Sequence, residues 1–68
     1  MTMGQKIKEL RKAKKLSQKR LAKKLGVTQG SIAAWELDKF YPNLFNCLVM
    51  ADFFKVTLDE LCCRAVSK

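Results

Sequence analysis

The 68-residue chain has no histidine, and its six carboxylates are outnumbered by fourteen lysine and arginine side chains. Without histidine, the usual zinc ligand sets are incomplete and the commonest general base is missing. No nucleophile stands beside a plausible base, and no glycine-rich phosphate loop occurs. We therefore expect no enzyme activity, no metal and no cofactor. The three cysteines are expected to be reduced thiols of an intracellular protein.

Long apolar runs are missing as well. No stretch approaches the roughly 18 apolar residues that a membrane span requires, and no signal-peptide pattern follows Met1. Apolar residues nevertheless form 49% of the chain, which favours a folded globule over disorder. We expect one cytoplasmic domain over residues 1–68, with a core at about 4–64. A core this small is expected to gain stability from a partner subunit.

Charge is distributed unevenly along the chain. Residues 1–25 contain ten lysines or arginines and one acid, Glu9, whereas residues 26–68 contain four bases and five acids. A run of lysines often serves only to keep a small protein soluble. Here the run extends into the pair of short helices described next, so a polyanionic partner explains it better.

Three hydroxyl residues mark the beginnings of helices. Ser17, Thr28 and Thr57 can each accept hydrogen bonds at an N-cap, and each lies between an apolar residue just before it and another four residues later. Gly26 follows Leu25 at a position where a helix end needs a left-handed residue. Residues 16–36 are therefore predicted to form two short helices joined by a glycine turn, which is the layout of a helix-turn-helix.

The chain as a whole is predicted to be all-α. Five helices are expected, at about Met3–Lys14, Gln18–Leu25, Gln29–Leu37, Leu44–Phe54 and Leu58–Ala65. The third helix is expected to turn Ile32 and Trp35 inward. Pro42 marks the approach of the fourth helix.

The fourth helix carries more apolar residues than one buried stripe requires. We expect its inward stripe to be Leu44, Cys47, Leu48, Ala51 and Phe54. An exposed surplus would be a liability in a monomer, whereas a two-fold contact would bury it. A homodimer is therefore expected, with its contact around Phe53, Val56, Leu58, Cys62 and Val66.

A set of short matches runs through about residues 4 to 62. They are Leu10-Arg11, Leu16-Ser17-Gln18, Leu21-Ala22, Leu25-Gly26-Val27-Thr28-Gln29, Ile32, Trp35-Glu36, Pro42 and Val56-Thr57-Leu58-Asp59-Glu60-Leu61. As a set they resemble the Cro/repressor-type (XRE) helix-turn-helix family. The resemblance implies a compact five-helix repressor-like domain whose helix-turn-helix is formed by helices 2 and 3. It also implies a homodimer that binds a double-stranded DNA operator and regulates transcription, as a repressor in our interpretation.

Base reading is assigned to the beginning of the third helix. In a docked helix-turn-helix this end faces base edges in the major groove. The Gln29 amide can bond the N6 and N7 edge of adenine. Gly30, Ala33 and Ala34 permit close approach and methyl contact. The family commonly has arginine at the position of Ala34, so we expect few direct contacts and a contribution from DNA shape.

Phosphate contacts are assigned to Gln18, Lys19, Thr28, Ser31 and Lys39. Gln18 and Lys39 match positions where members of the family contact phosphate, and a helix N-terminus beside Gln18 offers free N–H groups. The resemblance also implies a salt bridge between Arg11 and Glu36 that holds the recognition helix in position. The family often has glycine where this chain has Asp38, so we expect the third helix to end differently.

Two other functions are kept open. An antitoxin on the same fold would bind a protein partner, and a neighbouring toxin gene would favour that alternative. A basic protein could also bind anionic membranes without base preference. The capped helix-turn-helix makes this last alternative the weakest, and no membrane partner is expected.

Overall fold

In the computed structural model, which describes residues 1–62, each helix begins at a residue whose side chain can cap it. The helices are α1 (Met3–Ala13), α2 (Gln18–Leu25), α3 (Gln29–Glu36), α4 (Leu44–Phe54) and α5 (Leu58–Leu61). Their N-caps, whose side-chain oxygens accept a backbone N–H of the first turn, are Thr2, Ser17, Thr28, Asn43 and Thr57. Gln5 and Glu60 return the bond to Thr2 and Thr57, which makes two capping boxes.

The helices α1 to α4 are each followed by a left-handed residue. Gly26 takes this role after α2 (φ 74°), as predicted, because glycine has no Cβ and adopts a positive φ without a steric clash. Lys15, Asp38 and Lys55 take it after the other three, with φ between 58° and 61°. In each case the next N–H donates to a carbonyl five residues earlier, at 2.9 to 3.1 Å. The bond from the Val27 amide to the Ala22 carbonyl closes the turn between α2 and α3.

Every helix contributes one fully buried side chain to a common core. They are Ile7, Leu21, Ile32, Met50 and Leu61. Helices α1 and α2 both pack against α3, and α4 packs against α5. Trp35 is buried beside this core, as predicted. The five-helix, all-α fold is confirmed, and residues 1–62 contain no strand.

The buried face of α4 differs from the predicted one. Its buried residues are Cys47, Met50, Ala51 and Phe54. Leu44 and Leu48 are exposed, so the prediction that they face inward was wrong. The physical reason is that α4 is apolar on nearly every side, and spacing alone then does not decide which side packs.

Helix ends agree closely with the predicted ones. Helices α1 and α3 each end one residue early, at Ala13 and Glu36. The predicted end of the fifth helix, Ala65, lies outside the described residues. Within residues 1–62, no helix has both the length and the apolar character needed to cross a membrane.

Candidate nucleic-acid interface

The first turn of α3 lies on the surface of the domain. Thr28, Gln29 and Gly30 are exposed and Ser31 is half-buried. The Thr28 hydroxyl accepts the Ser31 amide hydrogen (3.1 Å) and lies 3.0 Å from the Ser31 hydroxyl. A Cβ added to Gly30 would have Thr28 Oγ1, at 3.9 Å, as its nearest neighbour. The end of the helix predicted to read bases is therefore accessible, and the packing of the domain does not require its glycine.

The opposite side of α3 anchors the helix to the domain. Ile32 is fully buried, and Trp35 and Glu36 are nearly so. Burial of a large apolar side chain stabilises a fold by about 1.5 to 3 kcal/mol, so Ile32 and Trp35 resist rotation of α3 about its axis. Ala33 and Ala34, predicted to contact bases, are half-buried between the anchored and exposed sides.

A buried ion pair joins α1 to the end of α3. Arg11 Nε donates to Glu36 Oε2 (2.6 Å), and a terminal nitrogen of the guanidinium donates to Oε1 (3.1 Å). The other terminal nitrogen donates to the Leu16 carbonyl (2.8 Å). Arg11 and Glu36 are both 8% exposed. The structure thus contains the salt bridge that the family resemblance implies, and its two-bond geometry fixes orientation as well as distance.

The ion pair shifts the pKa of both partners. Burial alone would raise the pKa of Glu36, but hydrogen bonds from Arg11 and Gln18 and the charges of Arg11 and Lys8 together lower it below its ordinary value. The bond to Glu36 raises the pKa of Arg11, against the opposite effect of burial. Both groups are therefore charged at neutral pH, and the contact is ionic.

Gln18 has a contact that the sequence did not reveal. Its Nε2 donates to Glu36 Oε1 at 3.0 Å, so the side chain predicted to bind phosphate also connects the start of α2 to the end of α3. An amide nitrogen carries two hydrogens, and this bond uses one of them. The Glu36 carboxylate therefore orients the Gln18 amide. No sequence signal pointed to this contact, because the two residues meet only after α2 and α3 pack.

Asp38 forms a second connection between α3 and α1. Its backbone is left-handed, and its carboxylate accepts hydrogen bonds from the Thr2 hydroxyl (2.7 Å) and the Gly4 amide (3.0 Å). Negative charge is favourable at the first turn of a helix. Gly4 is required here, because a Cβ would lie 2.7 Å from the Glu36 carbonyl oxygen. The sequence predicted an unusual helix end at Asp38 but not the partners of its carboxylate.

Basic side chains cover the exposed side of α2. Lys19, Arg20, Lys23 and Lys24 line an open depression of about 550 Å³, together with Ser17. Lys39 is exposed just beyond α3. Such a surface attracts a polyanion, and salt weakens the attraction.

The cysteine that the structure buries is part of the core. Cys47 Sγ donates to the Pro42 carbonyl at 3.6 Å. Burial raises the pKa of the Cys47 thiol, and the neighbouring Cys62 adds to the effect, so the thiol is neutral at pH 7. Residues 1–62 contain no cluster of three or more potential metal ligands.

Of the residues predicted to form the subunit contact, the four within residues 1–62 are only partly exposed. Phe53, Val56 and Leu58 pack against the core. The Phe53 ring also lies edge-on to Phe54 (centroids 5.1 Å apart) and 5.3 Å from Lys14 Nζ. Cys62 is half-buried, and Val66 lies outside the described residues. Much of the surface of Phe53, Val56 and Leu58 is thus already in contact with their own chain.

A helix-turn-helix family model matches residues 7–61, a range that contains α2, α3 and the ion pair behind them. The chain belongs to this helix-turn-helix family. The resemblance to the Cro/repressor-type (XRE) proteins is thereby confirmed. Its members are DNA-binding regulators of transcription and do not form a class of enzymes.

Curated relatives contain the same domain. The chain is 41% identical over 61 residues to the HTH-type transcriptional activator BcrR of Enterococcus faecalis, and 43% identical over 61 residues to the immunity repressor protein of Bacillus phage phi105. Each match covers 90% of this chain, but 30% of the activator and 42% of the phage repressor. An uncharacterized HTH-type regulator of Methanocaldococcus jannaschii is 39% identical over 59 residues, with coverage of 87% and 89%. The chain thus spans less than half of two relatives and most of the third.

Solved structures share the whole fold. The crystal structure of the P22 c2 repressor in complex with a synthetic operator superposes with a TM-score of 0.88 at 31% identity, covering 96% of this chain and 98% of that one. The solution structure of the DNA-binding domain of the same repressor gives 0.82 at 33%, covering 90% and 80%. The repressor-like architecture is therefore confirmed.

Proposed function

We propose that this chain binds a double-stranded DNA operator through α3 and regulates transcription as a repressor. The observation that carries the proposal is the exposed first turn of α3, anchored from behind by Ile32, Trp35 and the ion pair of Glu36. Membership of a DNA-binding family supports DNA as the partner. The structure of the P22 c2 repressor with a synthetic operator supports duplex DNA in particular.

Base reading in this proposal begins at Gln29. Its exposed amide bonds an adenine edge in the major groove, with two hydrogen bonds per base. Gly30 leaves space for the backbone of α3 to approach the bases closely. Ala33 and Ala34 contribute methyl groups, which suit contact with thymine. Because these groups make few polar contacts, sequence-dependent DNA shape carries part of the specificity.

Phosphate binding in this proposal surrounds the reading helix. Gln18 and Lys19 begin α2, and Thr28 and Ser31 begin α3, so both helix N-termini point N–H groups towards the strands. Lys39 contacts phosphate from beyond the other end of α3. The bond from Gln18 to Glu36 supports this arrangement, because it orients the amide before DNA arrives.

The proposed active form is a homodimer. Two copies related by a two-fold axis present two copies of α3 to half-sites about 34 Å apart, one turn of the duplex. The size of the domain supports this, since a 68-residue chain buries a limited core of its own. The operator is then a short pseudo-palindrome.

The test is selection of bound sites from random duplex DNA by the wild type, Gln29→Ala and Lys39→Ala. Gln29→Ala should abolish the preference for adenine at one position in each half-site, which corresponds to about 1 to 3 kcal/mol of discrimination. Lys39→Ala serves as the matched control. The loss of a phosphate contact should weaken binding to all sites alike and lower the salt slope of the affinity by about one. An unchanged base preference in Gln29→Ala would contradict the base-reading role of Gln29.

A further inference from the structure

Two thiols lie next to each other where α4 packs against α5. Cys47 is on the buried side of α4, and Cys62 is the C-cap of α5. Both are free thiols, and Cys62 interacts with Cys47 through a side-chain hydrogen bond and through charge. Neither cysteine takes part in the proposed contacts with DNA, which belong to α2 and α3.

The packing of α4 and α5 holds the two cysteines in place. The helix α5 begins four residues after the last residue of α4 and packs against it. Between them, the Val56 amide donates to the Ala51 carbonyl at 2.9 Å. Leu61, directly before Cys62, is fully buried in the core, and the Cys62 amide donates to the Leu58 carbonyl at 2.9 Å. The backbone at the end of α5 is therefore fixed, and the two thiols stay adjacent.

The two thiols differ in their access to solvent. Cys47 is 8% exposed, whereas Cys62 is half-buried. An oxidant dissolved in water thus reaches Cys62 first, with Cys47 directly behind it. Burial also raises the pKa of the Cys47 thiol, which disfavours its reactive thiolate form. An accessible thiol with a second thiol beside it is typical of cysteines that are oxidised reversibly.

We propose that Cys47 and Cys62 form a modification site, at which a peroxide produces a reversible disulfide between α4 and α5. The Cys62 thiolate attacks one oxygen of hydrogen peroxide, so that an S–O bond forms, the O–O bond breaks and hydroxide leaves. The Cys47 sulfur then attacks the sulfur of the Cys62 sulfenic acid. The S–S bond forms, the S–O bond breaks, and the oxygen leaves as water with the proton of Cys47. In total the two thiols lose two electrons and two protons, and the peroxide is reduced to two water molecules.

The disulfide links α5 covalently to α4. It closes the loop from Cys47 to Cys62, which restricts the unfolded chain and so stabilises the folded one. The helix α5 packs against α4 and α1, whereas the first turn of α3 is exposed to solvent. Oxidation therefore strengthens the α4–α5 side of the domain and leaves the turn proposed to read bases unchanged. A thiol reductant reverses the modification by exchange.

The test treats the 68-residue chain with hydrogen peroxide and follows its mass and its free thiols. The protein is dilute, so that a second copy neither covers Cys62 nor forms a disulfide with it. Wild type and Cys63→Ser should each lose two hydrogen atoms and two free thiols, and peptide mapping without reductant should link Cys47 to Cys62. Dithiothreitol should restore both thiols. Cys62→Ser should form no intramolecular disulfide.

Thermal melts provide a second readout. In wild type and Cys63→Ser, the oxidised chain should melt at least about 10 °C above the reduced chain, because the closed loop limits the unfolded state. Cys62→Ser should melt at the same temperature before and after treatment with peroxide. Circular dichroism of the reduced proteins checks that both serine variants fold like the wild type.

Three results would overturn the inference. The disulfide could link Cys62 to Cys63, or could still form in Cys62→Ser. Oxidation of Cys62 could proceed to the sulfinic acid without any disulfide, which would show that Cys47 does not reach it. The oxidised wild type could melt no higher than the reduced form. None of these results changes the expected base preference of Gln29, so the proposed function is tested separately.

Discussion

At the scale of single residues, Glu36 connects three parts of the molecule. Its carboxylate accepts two hydrogen bonds from Arg11 in α1 and one from Gln18 in α2, while its backbone ends α3. Removal of one partner of a buried pair leaves the other charge without compensation, which costs far more than the loss of a surface pair. Glu36 therefore holds the end of α3 against both α1 and α2.

We predict that Glu36→Gln lowers the free energy of unfolding by about 3 kcal/mol, because the Arg11 guanidinium stays buried without a counter-charge. Glu9→Gln is the matched control, since Glu9 is exposed and pairs with Lys6 at 3.5 Å on the surface. That change should cost less than about 1 kcal/mol. Urea unfolding followed by circular dichroism measures both. Equal losses would contradict the role given to Glu36.

The pH profile provides a second readout for the same variant. The pKa of Glu36 is lower in the folded chain than its ordinary value. Its contribution to stability is therefore complete above the ordinary carboxyl value of about 4.3 and is lost as the pH falls through the lower folded value. Between about pH 6 and pH 3, Glu36→Gln should lose less stability than the wild type. If the stability of the wild type and of Glu36→Gln fell equally with pH, the titration of Glu36 would not contribute to stability as the ion pair requires.

At the scale of elements, the end of α3 is held against the start of α1. The Asp38 carboxylate caps α1 from outside the helix, and Gly4 allows the backbones of the two helices to approach closely. An L-residue in the left-handed region costs about 1 to 2 kcal/mol, least for asparagine and aspartate. Asp38 thus tolerates the left-handed backbone conformation and also has a carboxylate that accepts two hydrogen bonds. Glycine would tolerate the backbone conformation but has no acceptor.

We predict that Asp38→Ala lowers the free energy of unfolding by about 2 kcal/mol, because it removes two acceptor bonds and leaves a less tolerant residue at positive φ. In a domain of this size the melting temperature should fall by about 10 °C. Asp38→Asn keeps an acceptor and tolerates the backbone, so it should lose less than half as much. Thermal melts of the two variants test this. An alanine variant as stable as the wild type would contradict the stabilising role given to the hydrogen bonds of Asp38.

The boundaries of the elements were predictable to the extent that they depend on local chemistry. Ser17, Thr28 and Thr57 revealed three helix starts because each hydroxyl is flanked by apolar residues at the right spacing. Thr2 and Asn43 were missed as caps. The residue four positions after Thr2 is Lys6, whereas the pattern requires an apolar residue there. Asn43 was missed because its side chain has an amide and the pattern was defined by a hydroxyl. The buried face of α4 was not predictable, since the apolar residues of that helix do not define one side.

At the scale of the whole molecule, the chain separates charge from apolar surface. Ten of its fourteen bases precede Gly26, whereas the large exposed apolar side chains within residues 1–62 lie mostly between residues 37 and 48. The residue at which α3 begins could be predicted, because it follows from a cap and a glycine turn. The bonds from Gln18 to Glu36 and from Gly4 to Asp38 could not, because they join residues 18 and 34 positions apart through tertiary packing.

The central claim is that the first turn of α3 meets DNA bases, and backbone amide chemical shifts measure this most directly. The wild type is titrated with its selected site at several salt concentrations, and the shift of each amide is followed. We predict the largest changes at Gln29, Gly30 and Ser31, with smaller changes at Gln18 and Lys19, and an affinity that falls steeply with salt. Changes confined to α4 and α5, with the amides of Gln29 to Ser31 unmoved, would contradict the account.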